Sequence, residues 1–470
     1  MTSSAGRVYA SLPTPLQHLA TAAYGVRVQR LRRGGAFGAT RRELATSERW
    51  SSDQLAELQE RRLRETVQHA FRTTRYWPEL GRRLGIDAQQ IRSVGDLRQL
   101  PLLDKATVAA RSEDLSAVGV PDTAIYYTSG TSGTTLAVPI DAASRQRNYA
   151  FFARALAWAG VEDGRSATFA GRPVVPSGVA HPRSVWRWNP AMRNRLFSAY
   201  HLSEANAPAY SRALVAFGPD YLDSYPSAVA ALAGLFRDLR LPAPRPRAII
   251  TSSETLLDEQ RTTIAEVFGA PCFDQYGCTE QSIYVSQCEA GTYHVHPEYG
   301  IVEILDERGE PARAGVPGEV VCTSFCNDAF PLLRYRIGDV AAFGASTCAC
   351  GRSFPVIEQL CGRLDDLIVT ADGRRVGRLD PVFKGRRSIR EAQIVQEGAR
   401  DLVVRLVPGP GYSEADGAAV AQELRARLGA EMRIAIRPVA SIERSASGKF
   451  RAVINRCARG NPDRLGAQNE

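Results

Sequence analysis

Lysine is nearly absent from this sequence. Of its 59 lysines and arginines, only Lys105, Lys384 and Lys449 are lysine. A formal net charge of +9 would fit a nucleic-acid-binding protein. However, the basic residues are spread along the chain apart from Arg27 to Arg33, and no nucleic-acid-binding motif is present. We therefore do not expect nucleic acid as a partner. Because lysine is so rare, a lysine within a motif is more indicative of a specific function than it would be in an average sequence.

Long apolar runs are also missing. No segment approaches the roughly 20 apolar residues of a membrane-spanning helix. Between Met1 and about Arg33 there is no signal-peptide core with a cleavage site, because the mildly apolar stretch Leu16 to Val26 is interrupted by His18 and Thr21. The sequence therefore predicts a cytoplasmic protein without a membrane partner.

The cysteines lack the even spread of a disulfide scaffold. Eight of the nine lie between Cys272 and Cys361. Such a local cluster indicates either reduced thiols or a bound metal in a cytoplasmic chain.

A zinc site could form from five residues in this region: Cys288, His294, His296, Cys348 and Cys350. Zinc prefers four thiolate or imidazole ligands, and four protein ligands would leave no open position, which favours a structural role. On a strand His294 and His296 share one face, so either could serve. The alternative is reduced thiols with two surface histidines.

The chain is long enough for two or more domains, with 470 residues of which 44% are hydrophobic. Strand-like and helix-like segments alternate in its middle part, which predicts parallel βαβ units. The predicted strands are Ala167–Phe169, Tyr221–Ser224, Ala248–Thr251 and Cys272–Gln275. The predicted helices are Ala205–Phe217, Ser227–Leu239 and Leu257–Phe268. Residues 1–50 show no clear pattern.

Further along, short strands and turns between Tyr293 and Phe343 predict a β-rich subdomain. We therefore expect an α/β fold whose large N-terminal domain, residues 1–362, contains mixed and parallel sheets flanked by helices and this subdomain. A small, mobile α+β C-terminal domain follows at 363–460, and 461–470 form a frayed tail.

The most distinctive stretch is Tyr126–Thr135, which holds two tyrosines, six serine or threonine hydroxyls, two glycines and no charge. Glycine permits close approach of backbone amides, and the hydroxyls add donors, as in a phosphate cradle. It is not a Walker motif, because Thr134 stands where that motif needs lysine. The alternative is a flexible polar loop.

Two carboxylates lie in further glycine-containing motifs. In Tyr276–Glu280, Glu280 suits Mg²⁺, which favours one or two protein carboxylates plus phosphate oxygens. In Arg334–Asp339, Asp339 could accept the hydroxyls of a ribose. The alternatives are an exposed turn and a surface aspartate.

Two motifs belong to the C-terminal part. Gly362–Asp366 fits a hinge between domains, because hinge residues absorb backbone rotation, or else an ordinary linker. In Ser445–Arg451, Lys449 follows a glycine, and its compact charge suits a phosphoryl or carboxylate oxygen. The alternative is a chance lysine in a terminal loop.

These motifs occur together in a recognisable order. Over roughly residues 50–458 the sequence resembles the adenylate-forming superfamily of acyl-CoA synthetases, peptide-synthetase adenylation domains and luciferases. It most resembles the branch of phenylacetate–CoA ligase, capsular-polysaccharide-associated enzymes and a deazaflavin-coenzyme adenylylating synthetase. The motifs that carry the resemblance are Tyr127–Thr135, Tyr276–Glu280, Tyr335–Asp339, Gly362–Asp366 and Ser447–Arg451.

The resemblance implies an ATP site. The phosphates would be held by Ser129, Gly130, Thr131, Ser132, Gly133 and Thr134. Tyr276 and Gly277 would border the adenine, and the nucleotide pocket would be lined by Ser252, Ser253 and Glu254. Asp339 would accept the ribose hydroxyls, with Arg363 nearby.

The resemblance also implies catalytic roles. Thr279 would lie near the α-phosphate, Glu280 would bind Mg²⁺, and Lys449 would be the mobile lysine of the adenylation step. Asp365 would be the hinge.

A structural zinc site is implied at the matching positions Cys288, His294, Cys348 and Cys350. The implied cofactors are thus ATP, Mg²⁺ and structural Zn²⁺, with CoA as an acceptor.

Several positions depart from the commonest family pattern. The polar loop ends without the Pro-Lys often found there, and Ile337 stands where threonine is usual. Gly171-Arg172 and Ser224–Ser227 look like the capsular type, whose substrates are poorly defined. This places Gly171, Arg172 and Tyr225 in the expected substrate pocket and leaves phenylacetate in doubt.

The predicted function is ATP-dependent activation of a carboxylic acid as acyl-AMP, with transfer to a thiol of CoA or a carrier protein, or to an amine. Trp186, Trp188 and Tyr225 could make the acid pocket aromatic, although core packing explains aromatic residues equally well. One alternative is adenylylation of a phosphate-bearing substrate, which gives a stable AMP diester. Another is a non-catalytic nucleotide- or RNA-binding protein that uses Arg27–Arg33. We expect a monomer or homodimer.

Overall fold

A computed structural model of the chain describes most of its residues. The described residues are 8–9, 11–128, 136–170, 174–175, 182–344, 347–363, 368–370, 375–376, 379–383, 386, 388–444 and 450–457. The predictions for Ser129–Thr135, Gly171-Arg172, Asp365, Lys449 and the tail lie outside these residues, as does the side chain of Arg363.

Twenty strands and eleven α-helices form within the described residues. The strands are β1 (Ala124–Tyr127), β2 (Ala137–Ile140), β3 (Ser166–Ala170), β4 (Trp186–Asn189), β5 (Asn194–Ser198), β6 (Tyr221–Ser224), β7 (Ala248–Ser252), β8 (Cys272–Gly277), β9 (Tyr284–Gln287), β10 (Tyr293–Val295), β11 (Gly300–Leu305), β12 (Gly318–Ser324), β13 (Tyr335–Phe343), β14 (Val356–Arg363), β15 (Ile368–Val369), β16 (Arg375–Val376), β17 (Ile389–Gly398), β18 (Asp401–Pro408), β19 (Arg433–Pro438) and β20 (Val453–Asn455). The helices are α1 (Thr14–Arg32), α2 (Gly35–Ser47), α3 (Ser52–Thr73), α4 (Tyr76–Leu84), α5 (Lys105–Ala110), α6 (Ser112–Leu115), α7 (Ala142–Trp158), α8 (Ala207–Phe217), α9 (Pro226–Asp238), α10 (Asp258–Phe268) and α11 (Glu414–Leu428).

A 12-stranded mixed sheet organises the large part of the molecule, in the order β11-β12-β13-β14-β10-β9-β8-β7-β6-β3-β5-β4. Strands β8, β7, β6, β3 and β5 are parallel, as the alternation of apolar strands and helices predicted. From β9 to β11 every pairing is antiparallel. The predicted β-rich part is therefore continuous with the parallel part of the sheet.

The parallel region matches its predicted segments closely. The predicted strand Tyr221–Ser224 has the bounds of β6, and the other three predicted strands lie within β3, β7 and β8. Helix α10 begins one residue after the predicted start. Apolar side chains fill the space between the helices and the sheet, with Phe169, Phe197 and Phe268 among the most buried. Burial of each such side chain contributes roughly 1.5–3 kcal/mol.

Two helices, α1 and α2, form in the N-terminal region where the sequence showed no clear pattern. Helix α1 turns Gln17, Thr21 and Gly25 toward the protein, while its leucines are exposed. Because the buried face is polar and the large apolar side chains are exposed, the helix departs from the usual pattern in which an apolar stripe faces the core.

The C-terminal part forms a second, four-stranded sheet in the order β19-β18-β17-β20. Its central pair is antiparallel, the two outer pairs are parallel, and α11 packs on one face with a separate apolar core. Strand β14 of the large sheet ends at Arg363, close to the predicted domain boundary, which stays a prediction. Among the described helices, none combines the length and the apolar character needed to span a bilayer.

Candidate active site

A cavity of about 1600 Å³ lies where the large sheet meets the C-terminal sheet. Ser224, Ser252 and Gly277, the last residues of β6, β7 and β8, all line it. The carboxyl ends of neighbouring parallel strands meet at one edge of a sheet, which is where ligands bind in α/β proteins. Phe450 and Arg444 of the C-terminal part complete the wall.

Most of the predicted site residues that the structure describes line this one cavity. They are Tyr225, Ser252, Ser253, Glu254, Tyr276, Gly277, Thr279, Glu280 and Asp339. Thr128, the last described residue before the polar loop, also lines it. The backbone of Arg363 pairs with that of Asp339 across β14 and β13.

Tyr276 and Asp339 form the central polar contact of the cavity. The Tyr276 hydroxyl donates a hydrogen bond to Asp339 Oδ2 at 2.7 Å. Burial, and then the adjacent Asp339 carboxylate, raise the pKa of Tyr276 well above its usual value. The hydroxyl therefore stays protonated and keeps donating. Gly338, which precedes Asp339, has φ of +79° in the left-handed region that favours glycine.

Glu280 is held at the side of the cavity by a neighbouring hydroxyl. Only 6% of Glu280 is exposed, and its Oε1 accepts a hydrogen bond from the Tyr335 hydroxyl at 2.9 Å. Tyr335 is fully buried in the core of the antiparallel region. A buried carboxylate on the cavity wall fits the ligand preference of Mg²⁺, which usually binds one or two protein carboxylates.

Glu254 joins the two parts of the molecule at the cavity. Its Oε2 accepts a hydrogen bond from the Ser227 backbone N–H in the first turn of α9, at 3.0 Å. Its Oε1 accepts one from the Phe450 backbone N–H at 2.5 Å. Burial raises the pKa of Glu254, and these two N–H donors oppose that rise. This contact holds the backbone of Phe450 at the cavity.

Asp274 is a cavity residue that the sequence did not single out. Its two carboxylate oxygens accept hydrogen bonds from the hydroxyls of Thr251 at 2.6 Å and Tyr293 at 2.8 Å. Burial raises the pKa of Asp274 to about 6. Its place in β8, two residues before Tyr276, was the available signal, because residues near the carboxyl end of a parallel strand point toward the ligand edge.

The two tryptophans proposed for an aromatic substrate pocket lie elsewhere. Trp186 packs edge-on against His18 of α1 with ring centroids 4.9 Å apart, and Trp188 packs against Phe217 at 5.7 Å. Neither lines the cavity. The two tryptophans thus follow the alternative interpretation, in which they serve packing. Tyr225, the third residue proposed for an aromatic pocket, does line the cavity.

The cysteine and histidine cluster forms a separate site. The ligand atoms of Cys288, His294, Cys348 and Cys350 all lie within 4.8 Å of one another. Cys288 Sγ is 3.6 Å from Cys348 Sγ, and Cys350 Sγ is 3.3 Å from His294 Nε2. A tetrahedral zinc ion with Zn–S bonds of about 2.3 Å holds its sulfur ligands about 3.8 Å apart. The four residues therefore fit zinc in ligand type, number and spacing.

The structure distinguishes the two candidate histidines. His294 Nδ1 donates to the Phe354 carbonyl at 3.2 Å, which leaves the Nε2 lone pair directed to the cluster. His296 accepts from Arg154 Nη2 at its Nδ1, 2.5 Å away, and contacts the Ser286 hydroxyl through Nε2 at 2.8 Å. Burial, and then Arg154, lower the pKa of His296 well below its usual value. His296 is thus a buried core residue with both ring nitrogens engaged.

Comparison with known proteins gives a consistent set of similarities. Residues 368–456 match the family model of the CapK C-terminal domain. The chain is 24% identical over 412 residues to Protein CapK of Staphylococcus aureus, covering 85% of this chain and 89% of that protein. It is 23% identical over 438 residues to phenylacetate-coenzyme A ligase of Thermus thermophilus, covering 86% and 97%.

One solved relative resembles the chain in two of its states. The crystal structure of 2-hydroxyisobutyryl-CoA ligase in the postadenylation state with R3-HIB-AMP has a TM-score of 0.67 at 20% identity, covering 88% of this chain and 92% of that chain. The same ligase with 2-HIB-AMP and CoA in the thioesterification state has a TM-score of 0.56 at 20% identity, covering 87% and 91%.

Proposed function

The chain belongs to the adenylate-forming superfamily, in the branch of phenylacetate–CoA ligase and CapK, and from that premise we propose that it activates a carboxylic acid with ATP. The product would be an acyl-AMP, whose acyl group then passes to an acceptor. CoA is the first candidate acceptor, because the named ligase relatives act with CoA. A carrier-protein thiol or an amine remains an alternative.

The observation that carries this proposal is the convergence of distant segments on one cavity. Asp339 belongs to β13 of the antiparallel region, and Glu280 lies in the loop after β8. Both line the same cavity as Ser252 to Glu254. The Glu254–Phe450 hydrogen bond brings the C-terminal part to the same place. A ribose, a metal-bound triphosphate and an acid would need these contacts from several sides at once.

The comparison with two states of one solved ligase also bears on the position of the C-terminal part. The TM-score is 0.67 against the postadenylation state of the solved ligase and 0.56 against its thioesterification state. We infer that the C-terminal part is positioned for adenylation.

In the proposed first step, an oxygen of the substrate carboxylate attacks the α-phosphorus of ATP. A new P–O bond forms, the bond to the β-phosphate oxygen breaks, and pyrophosphate leaves. Asp339 would accept the ribose hydroxyls, and the amides and hydroxyls of Ser129–Thr134 would hold the phosphates. Lys449 would neutralise charge that develops during transfer. Glu280 would hold Mg²⁺, which supplies further charge neutralisation on the phosphates.

In the proposed second step, the C-terminal part rotates about Asp365 and the acceptor attacks the acyl carbon, releasing AMP. This rotation must break the Glu254–Phe450 contact. It must also break the ion pair between Arg390 Nη2 and Glu204 Oε1, 3.0 Å apart, which joins the two parts at the surface. Exposed ion pairs contribute only about 0–1 kcal/mol, so such a contact opens easily.

The alternative functions make different products. Adenylylation of a phosphate-bearing substrate would yield a stable AMP diester instead of a transient anhydride, and mass spectrometry of the product separates the two. A non-catalytic nucleotide- or RNA-binding protein would give no pyrophosphate exchange with any acid. Asp339, Thr279 and Glu280 all line the cavity, which supports catalysis on a nucleotide over a non-catalytic role. The acid–CoA ligase names of the relatives favour a carboxylic acid over a phosphate as the attacking group.

We also propose that Cys288, His294, Cys348 and Cys350 bind a structural zinc ion. The cluster packs against Leu55, Trp158 and Phe354, so the ion would tie the loop that precedes β14 to the turn after β9. None of the four proposed zinc ligands lines the candidate active-site cavity. The proposed localisation is cytoplasmic, and a monomeric or homodimeric state stays a prediction.

The proposed adenylation predicts acid-dependent exchange of pyrophosphate with ATP, tested across aryl, alkyl and amino acids. Lys449→Ala should leave ATP binding within about twofold but reduce exchange at least about 100-fold, since the lysine acts mainly on developing charge. Lys384→Ala, which removes one of the two other lysines, is the matched control and should exchange normally. Undiminished exchange by Lys449→Ala would contradict the role given to Lys449.

The Glu254 contact predicts a split between the two steps. Glu254→Ala removes an acceptor for the Phe450 N–H, and the loss of a hydrogen bond to a charged group should lower pyrophosphate exchange about tenfold or more. Transfer of the acyl group from supplied acyl-AMP to CoA should fall far less, because that step occurs after the contact has broken. The exposed turn residue Glu307 provides the control, Glu307→Ala. An equal loss in both steps would show that Glu254 acts only through the nucleotide pocket or through folding.

The zinc proposal predicts about one zinc ion per chain by elemental analysis of purified protein. His294→Ala should lose most of the zinc and lower the melting temperature, whereas His296→Ala should keep the zinc, although it too should destabilise the core. Full zinc retention in His294→Ala, or no zinc in the unaltered protein, would refute the assignment.

A further inference from the structure

Helix α1 exposes an apolar face that the proposed catalytic function does not use. Five large side chains of this helix are exposed, by 37% to 66% of their surface. They are Leu16, Leu19, Tyr24, Val26 and Leu31. They lie within one half of the helical circumference, because the spacing of three, seven and eight residues returns to the same side.

The orientation of α1 is fixed by contacts on its opposite, polar face. Gln17 Nε2 donates to the Leu12 carbonyl at 2.9 Å, and its Oε1 accepts from Arg187 Nε of β4 at 3.0 Å. Gly25 lies so close to the Asn189 side chain that a Cβ there would collide with it. The helix therefore cannot rotate to bury its leucines without losing the Gln17 hydrogen bonds and the Gly25 contact.

The charge on this part of the chain is of one sign. Residues 1–42 contain seven arginines and no aspartate or glutamate. Arg27 and Arg30, on the exposed side of α1, and Arg33, just after its end, are all exposed. The exposed side of α1 thus carries apolar side chains along its length and, toward its C-terminal end, arginines that lie among them, with no acidic residue in the helix. This combination complements a surface that is both apolar and anionic.

We propose that α1 docks the chain peripherally on a membrane surface that contains anionic lipids. Leu16, Leu19 and the other exposed apolar side chains would enter the region between headgroups and acyl chains, and the arginines would contact lipid phosphates. The absence of long apolar runs excluded spanning segments, but it does not test for a helix that lies in the interface.

Other occupants fit this face less well. A second copy of the chain would bring two sets of arginines together without acidic partners. RNA would satisfy Arg27, Arg30 and Arg33 but would leave the exposed leucines unused. A lipid surface alone uses both features of the helix.

The test is co-sedimentation of the full chain with vesicles of phosphatidylcholine, or of phosphatidylcholine mixed with phosphatidylglycerol. The chain should bind the mixed vesicles and lose affinity as salt increases. Arg27→Gln/Arg30→Gln/Arg33→Gln should lose on the order of 100-fold in affinity, since each arginine near an anionic surface is worth roughly fivefold. Leu16→Gln/Leu19→Gln should lose about tenfold or more, because both apolar side chains stay out of the lipid.

A matched control is available at the end of α4, where Arg82, Arg83 and Leu84 are also exposed. Arg82→Gln/Arg83→Gln/Leu84→Gln removes the same residue types and should bind like the unaltered chain. Absence of binding to the mixed vesicles, equal binding to both kinds of vesicle, or equal loss in the control variant would overturn the proposal. So would salt-sensitive binding of an RNA oligonucleotide that persists in Leu16→Gln/Leu19→Gln without vesicle binding.

Discussion

The hydrogen bond between Tyr276 and Asp339 is the contact on which the geometry of the candidate active site depends. Tyr276 lies in β8 and Asp339 in β13, four strands apart in the sheet. In a flat sheet these strands would be separated by about 19 Å. The sheet must therefore curve so that its antiparallel region turns over the carboxyl ends of its parallel strands. The cavity lies between this curved sheet and the C-terminal part, whose residues Arg444 and Phe450 also line it.

The curvature also explains how one cavity can be completed by a separate C-terminal sheet. Glu254 stands at the carboxyl end of the parallel region, where its carboxylate accepts one backbone N–H from α9 and one from Phe450. A carboxylate can accept from both at once, whereas any neutral side chain of similar size would satisfy them less strongly. Arg390 forms two further ion pairs across this boundary, one with the exposed Glu204 and one with Asp238, of whose side chain only 12% is exposed. The rotation proposed for the second step would have to break all of these contacts.

The parallel strands could be predicted from sequence because their signal is local. Tyr221–Ser224 and Cys272–Gln275 are short apolar runs between helical segments, and they form β6 and most of β8. The continuity of the sheet could not be predicted, because the pairing of β10 with β14 joins residues about sixty positions apart. Helix α1 was missed for another reason: its polar face is the buried one.

At the site, the residues of each motif were predictable but their partners were not. The sequence indicated Glu280 and Asp339, yet the hydrogen bond from Tyr335 to Glu280 and the place of Asp274 in the cavity became visible only when the strands were placed side by side. The choice of His294 over His296 likewise depends on Phe354 and Arg154, which are distant in sequence. The roles expected for Ser129–Thr135, Asp365 and Lys449 stay predictions.

The most direct test of this account is a crystal structure of the chain with ATP and Mg²⁺, or with a non-hydrolysable acyl-AMP analogue. The account predicts that the adenosine occupies the cavity, with the ribose hydroxyls within hydrogen-bond distance of Asp339 and the Lys449 ammonium facing the phosphoryl group. A nucleotide bound elsewhere, or a ribose without contact to Asp339, would contradict it.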